Sequence, residues 1–181
     1  GDIKAVYNDI VAGSDENARF WNREYKMNFA ISEFPKPYVV IMNGITMGGG
    51  VGISGHGSHR IVTDSTKVGM PETGIGLFPD VGGTHLLANA PGELGTHLAL
   101  TGQPVGAGAA IALGLADYFV PDAQIPDLIA ELTDGEDLDA VIGRYSSDVP
   151  DNELAEAADW INACYAGDDA EAIVAALAAH E

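Results

Sequence analysis

The sequence is short of thiols, of cations and of long apolar runs. Its single cysteine, Cys164, excludes an internal disulfide and a cysteine-based metal cluster, and it fits a reducing cytoplasm. Eight lysines and arginines stand against 27 acidic residues, a formal net charge of −19. That balance argues against nucleic acid or an anionic membrane surface as the main partner, because both need a cationic footprint. No stretch reaches the ~18 apolar residues that a membrane-spanning helix requires. Residues 1–4, Gly-Asp-Ile-Lys, carry neither the basic nor the apolar region of a signal peptide, and there is no initiator methionine. His56, His59, His85 and His97 recur at no metal-binding spacing, so no metal site is expected. At 181 residues the chain can build a core of its own, with much of its acid after Asp117 on a solvated surface.

What is present centres on residues 43–52, Asn-Gly-Ile-Thr-Met-Gly-Gly-Gly-Val-Gly. An apolar run at residues 38–42, Tyr-Val-Val-Ile-Met, precedes it and reads as a buried strand. Residues 51–56 then continue as a short helix. Consecutive glycines at such a junction let a ligand approach the backbone and leave amide N–H groups free to meet it. The helix N-terminus adds partial positive charge. Such a site suits a phosphate or the oxyanion formed when a carbonyl is attacked.

Around this loop, Ser14 or Asp15 caps a helix reaching about Ala30, with Ala18, Trp21, Tyr25 and Phe29 along one face. Residues 59–63 read as a second strand and residues 68–70 as a short extended piece leading to Pro71-Glu72. Helices follow around residues 94–100, capped by Gly102, and at residues 107–113, capped by Gly114. The tail is helical by pattern. Pro126 marks a helix start, residues 152–165 carry Leu154, Ala157, Trp160 and Ile161 at helical spacing, and Asp168 with Glu171 resembles a capping box.

Two motifs give the chain a family resemblance. Gly-Ile-Thr-Met-Gly-Gly-Gly-Val-Gly at residues 44–52 and Met-Pro-Glu-Thr-Gly-Ile-Gly-Leu-Phe-Pro-Asp-Val-Gly-Gly at residues 70–83 resemble the crotonase (enoyl-CoA hydratase/isomerase) superfamily, and within it the 3-hydroxyisobutyryl-CoA hydrolase group. The likeness runs from Gly1 to about residue 121, read as a partial crotonase-like core, and weakens through an acidic helical segment at 122–181. It implies an α/β fold in which ββα units coil into a spiral followed by helices. Because the chain opens inside the family's Gly-Gly-Asp-Ile segment, the resemblance also implies that N-terminal units of the spiral are missing.

The implied reaction is hydrolysis of 3-hydroxyisobutyryl-CoA, or of a close short-chain 3-hydroxyacyl-CoA, as in valine breakdown. Coenzyme A is part of the substrate, no separate cofactor is implied, and trimer-based homo-oligomers are common in the superfamily. Carried over position by position, the backbone N–H groups of Gly1 and Gly49 form an oxyanion hole. Losing one such donor typically costs ~3 kcal/mol of transition-state stabilisation. Glu72 is the nucleophile or general base, and Asp80 orients the substrate hydroxyl or water and can donate a proton. Two carboxyls in one dry pocket push their pKa values apart, which suits such a division of labour. Glu24 resembles a pocket carboxylate of the family's Glu-Glu-Tyr segment, with Arg23 replacing the first Glu, while Asp2 and Lys4 stand where coenzyme A is met. Gly52 occupies the position at which hydratases carry a second catalytic Glu, so hydrolysis is favoured over hydration.

Enoyl-CoA hydratase/isomerase activity and a non-catalytic acyl-CoA-binding fragment stay open as alternatives, whereas two rival motifs fail on context. Gly-Val-Gly-Ile-Ser-Gly at residues 50–55 spells the dinucleotide-binding G-x-G-x-x-G, but it begins well after the strand ending at Met42. Gly-Ile-Ser-Gly-His at residues 52–56 lacks the closing glycine of a serine-hydrolase elbow.

Overall fold

The computed structural model describes residues 2–135 and 137–180. Its strands pair in parallel and alternate between two small sheets. Strands β1 (Val39–Met42), β3 (His59–Val62) and β5 (Tyr118–Phe119) form one sheet in the order β1-β3-β5, and β2 (Ile45–Met47) pairs with β4 (Lys67–Gly69) in the other. Val39 lies opposite His59 in the first sheet, and Ile45 lies opposite Lys67 in the second. The first unit is β1, β2 and helix α3 (Gly49–Ser54). The second is β3, β4, a 3-10 turn (Pro71–Ile75) and helix α4 (Gly83–Ala88). Each unit thus sends its first strand to one sheet and its second strand to the other, the ββα repeat expected from the sequence.

Strand β2 occupies residues that the sequence reading treats as loop. They become strand because β4 offers them a parallel partner, so their backbone groups find acceptors there. The glycines therefore follow a strand closely after all, and the spacing argument against a dinucleotide motif does not survive. Helix α3 also begins earlier than the residues 51–56 expected for it.

Helix α1 (Ile3–Val11) is not foreseen by the sequence reading. Asp2 caps it, its carboxylate accepting from the N–H groups of Lys4 and Ala5 at 3.0 and 3.2 Å. Helix α2 (Glu16–Ser32) lies near its expected place but is rotated about its axis. Its buried residues are Asn17 and Asn28, whereas Phe29 is 68 % exposed. The two asparagines decide the orientation through hydrogen bonds. Asn17 Nδ2 donates to the Val6 carbonyl at 2.9 Å, and Asn28 Nδ2 donates to the Gly52 carbonyl at 2.8 Å. Buried amides need such partners, and an aromatic stripe at helical spacing does not reveal them.

Helices α5 (Leu94–Thr101) and α6 (Ala107–Ala112) match the sequence reading, with Gly102 and Gly114 in the left-handed conformation just beyond them. Helix α7 (Ile125–Thr133) starts around Pro126, and α8 (Leu138–Tyr145) follows it. Helix α9 (Ala158–Tyr165) is shorter than the 152–165 expected. Helix α10 (Ala170–Ala179) is capped by Asp169, which accepts from Ala172 N–H at 2.7 Å, rather than by Asp168.

The segments on either side of Pro121 share their apolar contacts. One cluster joins Met42, Val51, Val68 and Leu98 to Ile161, Tyr165 and Ile173. A second joins Ile61 and Val120 to Ile125, Leu128, Val141 and Ile142. Arg60 ties β3 to the approach to β5, its guanidinium donating to both carboxylate oxygens of Asp117 at 2.9 and 2.6 Å. Burial alone would push Asp117 up, but the Arg60 hydrogen bonds and charge hold it below the ordinary aspartate value. No helix among the described residues is long and apolar enough to cross a membrane.

Candidate active site

The start of α3, the 3-10 turn, the loop before α4, and one side of α1 and α2 enclose a cavity of about 350 Å³. Its walls combine apolar side chains, among them Trp21, Met47, Ile75 and Val81, with three carboxyls: Glu24, Glu72 and Asp80.

Glu72 sits on the 3-10 turn behind Pro71, whose ring fixes the backbone there, and Gly76 ends the turn in the left-handed conformation. The residue is 9 % exposed, and its carboxyl rests against the backbone of Gly48. A Cβ added at Gly48 would lie 2.6 Å from Glu72 Oε1, and Gly48 has φ +52°. Glycine is therefore needed at this position twice over. Glu72 Oε2 is buried and has no hydrogen-bond partner among the described residues. Burial pushes the carboxyl above the ordinary glutamate value, a backbone hydrogen bond opposes this, and the Asp80 charge adds to it.

Glu24 reaches the other side of the same glycine pair, so that a Cβ at Gly49 would stand 3.2 Å from its Oε1. Its carboxyl is also raised, first by burial and then by Asp80. Gly49 opens α3, and its N–H has no acceptor within the helix. The helix has only six residues, so its contribution here is that local donor more than a summed dipole.

Asp80 lies on the loop before α4. Tyr25 on α2 donates its phenol hydrogen to Asp80 Oδ2 at 2.9 Å. The next residue, Val81, has φ +47°, a conformation that a β-branched side chain adopts only under constraint. The constraint is visible in its contacts. Val81 is buried, and its carbonyl accepts from the His56 ring at 2.8 Å.

The structure thus gathers Glu24, Gly49, Glu72 and Asp80 around one cavity. Asp2 instead caps α1 and lines a separate hollow with Phe20 and Arg23, and Lys4 is exposed on α1. Gly1 lies outside the described residues. The places of Tyr25, His56 and Val81 around Asp80 are not foreseen by sequence reasoning. Tyr25 stands next to Glu24 and reads there as a core aromatic, while nothing local links His56 to a loop 25 residues away. Among the described residues, no three His, Cys, Asp or Glu side chains cluster so as to hold a metal.

Position 52 is closed as well as empty of a carboxylate. A Cβ on Gly52 would come within 2.7 Å of Val81 Cβ and 2.9 Å of Asn28 Nδ2. No side chain fits there while the Val81 turn and the Asn28 hydrogen bond remain in place.

The family model for enoyl-CoA hydratase/isomerase matches residues 1–181. The chain belongs to this enoyl-CoA hydratase/isomerase family. A mitochondrial 3-hydroxyisobutyryl-CoA hydrolase from Xenopus tropicalis is 41 % identical over 185 aligned residues, covering 96 % of this chain and 48 % of that protein. Among solved structures, a carnitinyl-CoA dehydratase from Mycobacterium thermoresistibile superposes with TM-score 0.96 at 48 % identity, covering all of this chain and 53 % of the other. An enoyl-CoA hydratase from Rhodobacter sphaeroides follows at TM-score 0.86 and 44 % identity, covering 99 % of this chain and 55 % of the other. These likenesses establish the crotonase-type fold. The chain spans about half the length of the relatives it matches.

Proposed function

We propose that this family member hydrolyses a short-chain 3-hydroxyacyl-CoA thioester, with 3-hydroxyisobutyryl-CoA giving 3-hydroxyisobutyrate and coenzyme A as the leading case. The observation that carries the reading is the Glu72 carboxyl: buried against Gly48, its second oxygen without a partner among the described residues, in a cavity shared with Asp80. A buried and unpaired carboxylate is costly to the fold, which is what an attacking or proton-accepting group looks like before its substrate arrives.

In this reading the thioester carbonyl lies against Gly49, whose N–H supports the developing oxyanion together with the family's second donor at Gly1. Glu72 either attacks the carbonyl carbon, expelling coenzyme A as the C–S bond breaks and leaving an anhydride that water cleaves, or takes a proton from the water that attacks. Asp80 orients the substrate hydroxyl or the water. The closed position 52 weighs against hydration, because a second carboxylate has no room there. The single thiol supports a cytoplasmic location, although the Xenopus relative is named mitochondrial. A trimer-based homo-oligomer belongs to the same reading, and analytical ultracentrifugation tests it.

The direct experiment follows free thiol released from 3-hydroxyisobutyryl-CoA, with Glu72→Gln as the control. Release lost in the variant supports the hydrolase. Consumption of crotonyl-CoA without thiol release would make the protein a hydratase, as the names of the two solved relatives suggest for those proteins.

A further inference from the structure

We propose that Tyr25 is a positioning residue for the hydrolysis put forward above, holding the Asp80 carboxyl by one oxygen from behind and leaving the other open to the acyl cavity. The inference rests on that functional reading and deepens it. Two cavities meet at Asp80. The 350 Å³ cavity contains Glu72 and Glu24, whereas a second, of about 560 Å³, is lined by Tyr25, Phe29, His56, Phe78 and His85. Asp80 and Val81 line both, but Tyr25 lines only the second. The phenol therefore reaches Asp80 from the second cavity, outside the lining of the one that holds Glu72, and it acts through Asp80 rather than on an acyl group.

The Asp80 backbone is already immobilised. Gly83 N–H donates to the Asp80 carbonyl at 2.6 Å, the His56 ring donates to the Val81 carbonyl at 2.8 Å, and Val81 packs over Gly52. The carboxyl itself keeps its own torsions, and the 2.9 Å bond from Tyr25 removes that freedom. Among the described residues, no other side chain donates to it, so Oδ1 remains available for water or a substrate hydroxyl. Burial, the hydrogen bond to Asp80 and the charges of Asp80 and Glu24 push the phenol up to about 12, so the donor keeps its proton throughout any usable assay range. Tyr25 is 41 % exposed, and its hydroxyl adds little to the fold.

The test is a double-mutant cycle on the whole protein, with thiol release from 3-hydroxyisobutyryl-CoA as the readout. Tyr25→Phe is expected to lower kcat by about ten- to a hundredfold, the scale of a misplaced catalytic group, while KM stays within about threefold and the melting temperature barely moves. In an Asp80→Asn background the same change is expected to alter kcat less than about twofold, because the partner it positions is gone. A readout independent of activity is the ultraviolet titration of the Tyr25 phenol, which Asp80→Asn is expected to move down from about 12. An unaltered kcat in Tyr25→Phe, equal losses in both backgrounds, or an unmoved phenol titration would each overturn the proposal alone. Absence of thiol release from the unaltered protein overturns the functional reading and this one with it.

Discussion

Replacing Glu72 by glutamine is expected to separate the proposed hydrolysis from the stability of the fold. Glu72 is 9 % exposed as a residue, its Oε2 has no partner among the described residues, and a like charge stands nearby on Asp80. Leaving a buried polar atom unsatisfied costs about 1–3 kcal/mol, and more when it is charged. An amide of the same shape keeps one buried polar atom without a partner but carries no charge, so the change recovers about 1 kcal/mol near neutral pH. In a domain of this size that raises the melting temperature by about 2–4 °C.

The sign of the pH dependence follows from the direction of the shift. The folded protein holds the Glu72 proton more tightly than the unfolded chain does. The stability tied to that proton is complete below the ordinary value of 4.5 and is lost as pH rises through the higher folded value. The glutamine variant should therefore gain on the parent between acidic and neutral pH and match it in acid. Over the same series thiol release should fall by about 10²–10⁴, the range for losing a positioned acid or base. Melting curves at several pH values, together with the thiol assay, check both halves. A variant that melts lower than the parent at pH 7, or that keeps its activity within tenfold, refutes the picture of Glu72 as a strained, unpaired catalytic carboxylate.

Gly48→Ala places a Cβ 2.6 Å from Glu72 Oε1 at a residue with φ +52°; about 1–3 kcal/mol of stability should be lost, and thiol release should drop with it, measured by urea unfolding and assay. Gly52→Ala meets Val81 and Asn28 and should lose about 1–3 kcal/mol through overpacking, and Gly52→Glu should fail to produce crotonyl-CoA hydration in any folded fraction. His97 packs edge-on to Trp160 and Tyr165 with a buried Nδ1 that has no partner among the described residues, and burial lowers its pKa. The neutral ring suits the fold, so stability should be full above the ordinary value of 6.5 and decline as pH falls below it; melting temperatures of His97→Phe should fall less over that interval than those of the parent. Arg60→Lys breaks the two-pronged grip on Asp117 and should cost about 1–3 kcal/mol by urea unfolding, since an ammonium cannot reproduce that fork.

Two motifs carried the family resemblance, and that resemblance, more than any local pattern, implied both the ββα repeat and the meeting of Glu72 with Asp80 in one pocket. What could not be read depended on distant pairs. The turn of α2 about its axis was set by Asn17 and Asn28, polar residues whose acceptors lie on α1 and α3. Apolar periodicity alone favoured Ala18, Trp21, Tyr25 and Phe29 as the inward face, of which Trp21 lines the candidate cavity. The absence of a carboxylate at position 52 was plain in the sequence, but the wall that closes the position comes from Val81, a valine whose unusual backbone no local pattern announces. Strand β2 was missed for a similar reason, since its pairing partner lies beyond α3 and β3.

The left-handed Val81 couples the history of four positions. Its strain, about 1–3 kcal/mol for such a conformation, is held by His56 and accommodated by the bare Gly52, itself pinned through Asn28. A glycine at 81 would relax the backbone yet remove the stiffness that keeps the neighbouring aspartate in place. Bulk at 52 becomes tolerable only once 81 has shrunk and 28 has let go. A second acid at position 52 therefore calls for accompanying changes at 81 and 28, and those changes would slacken the loop that carries Asp80.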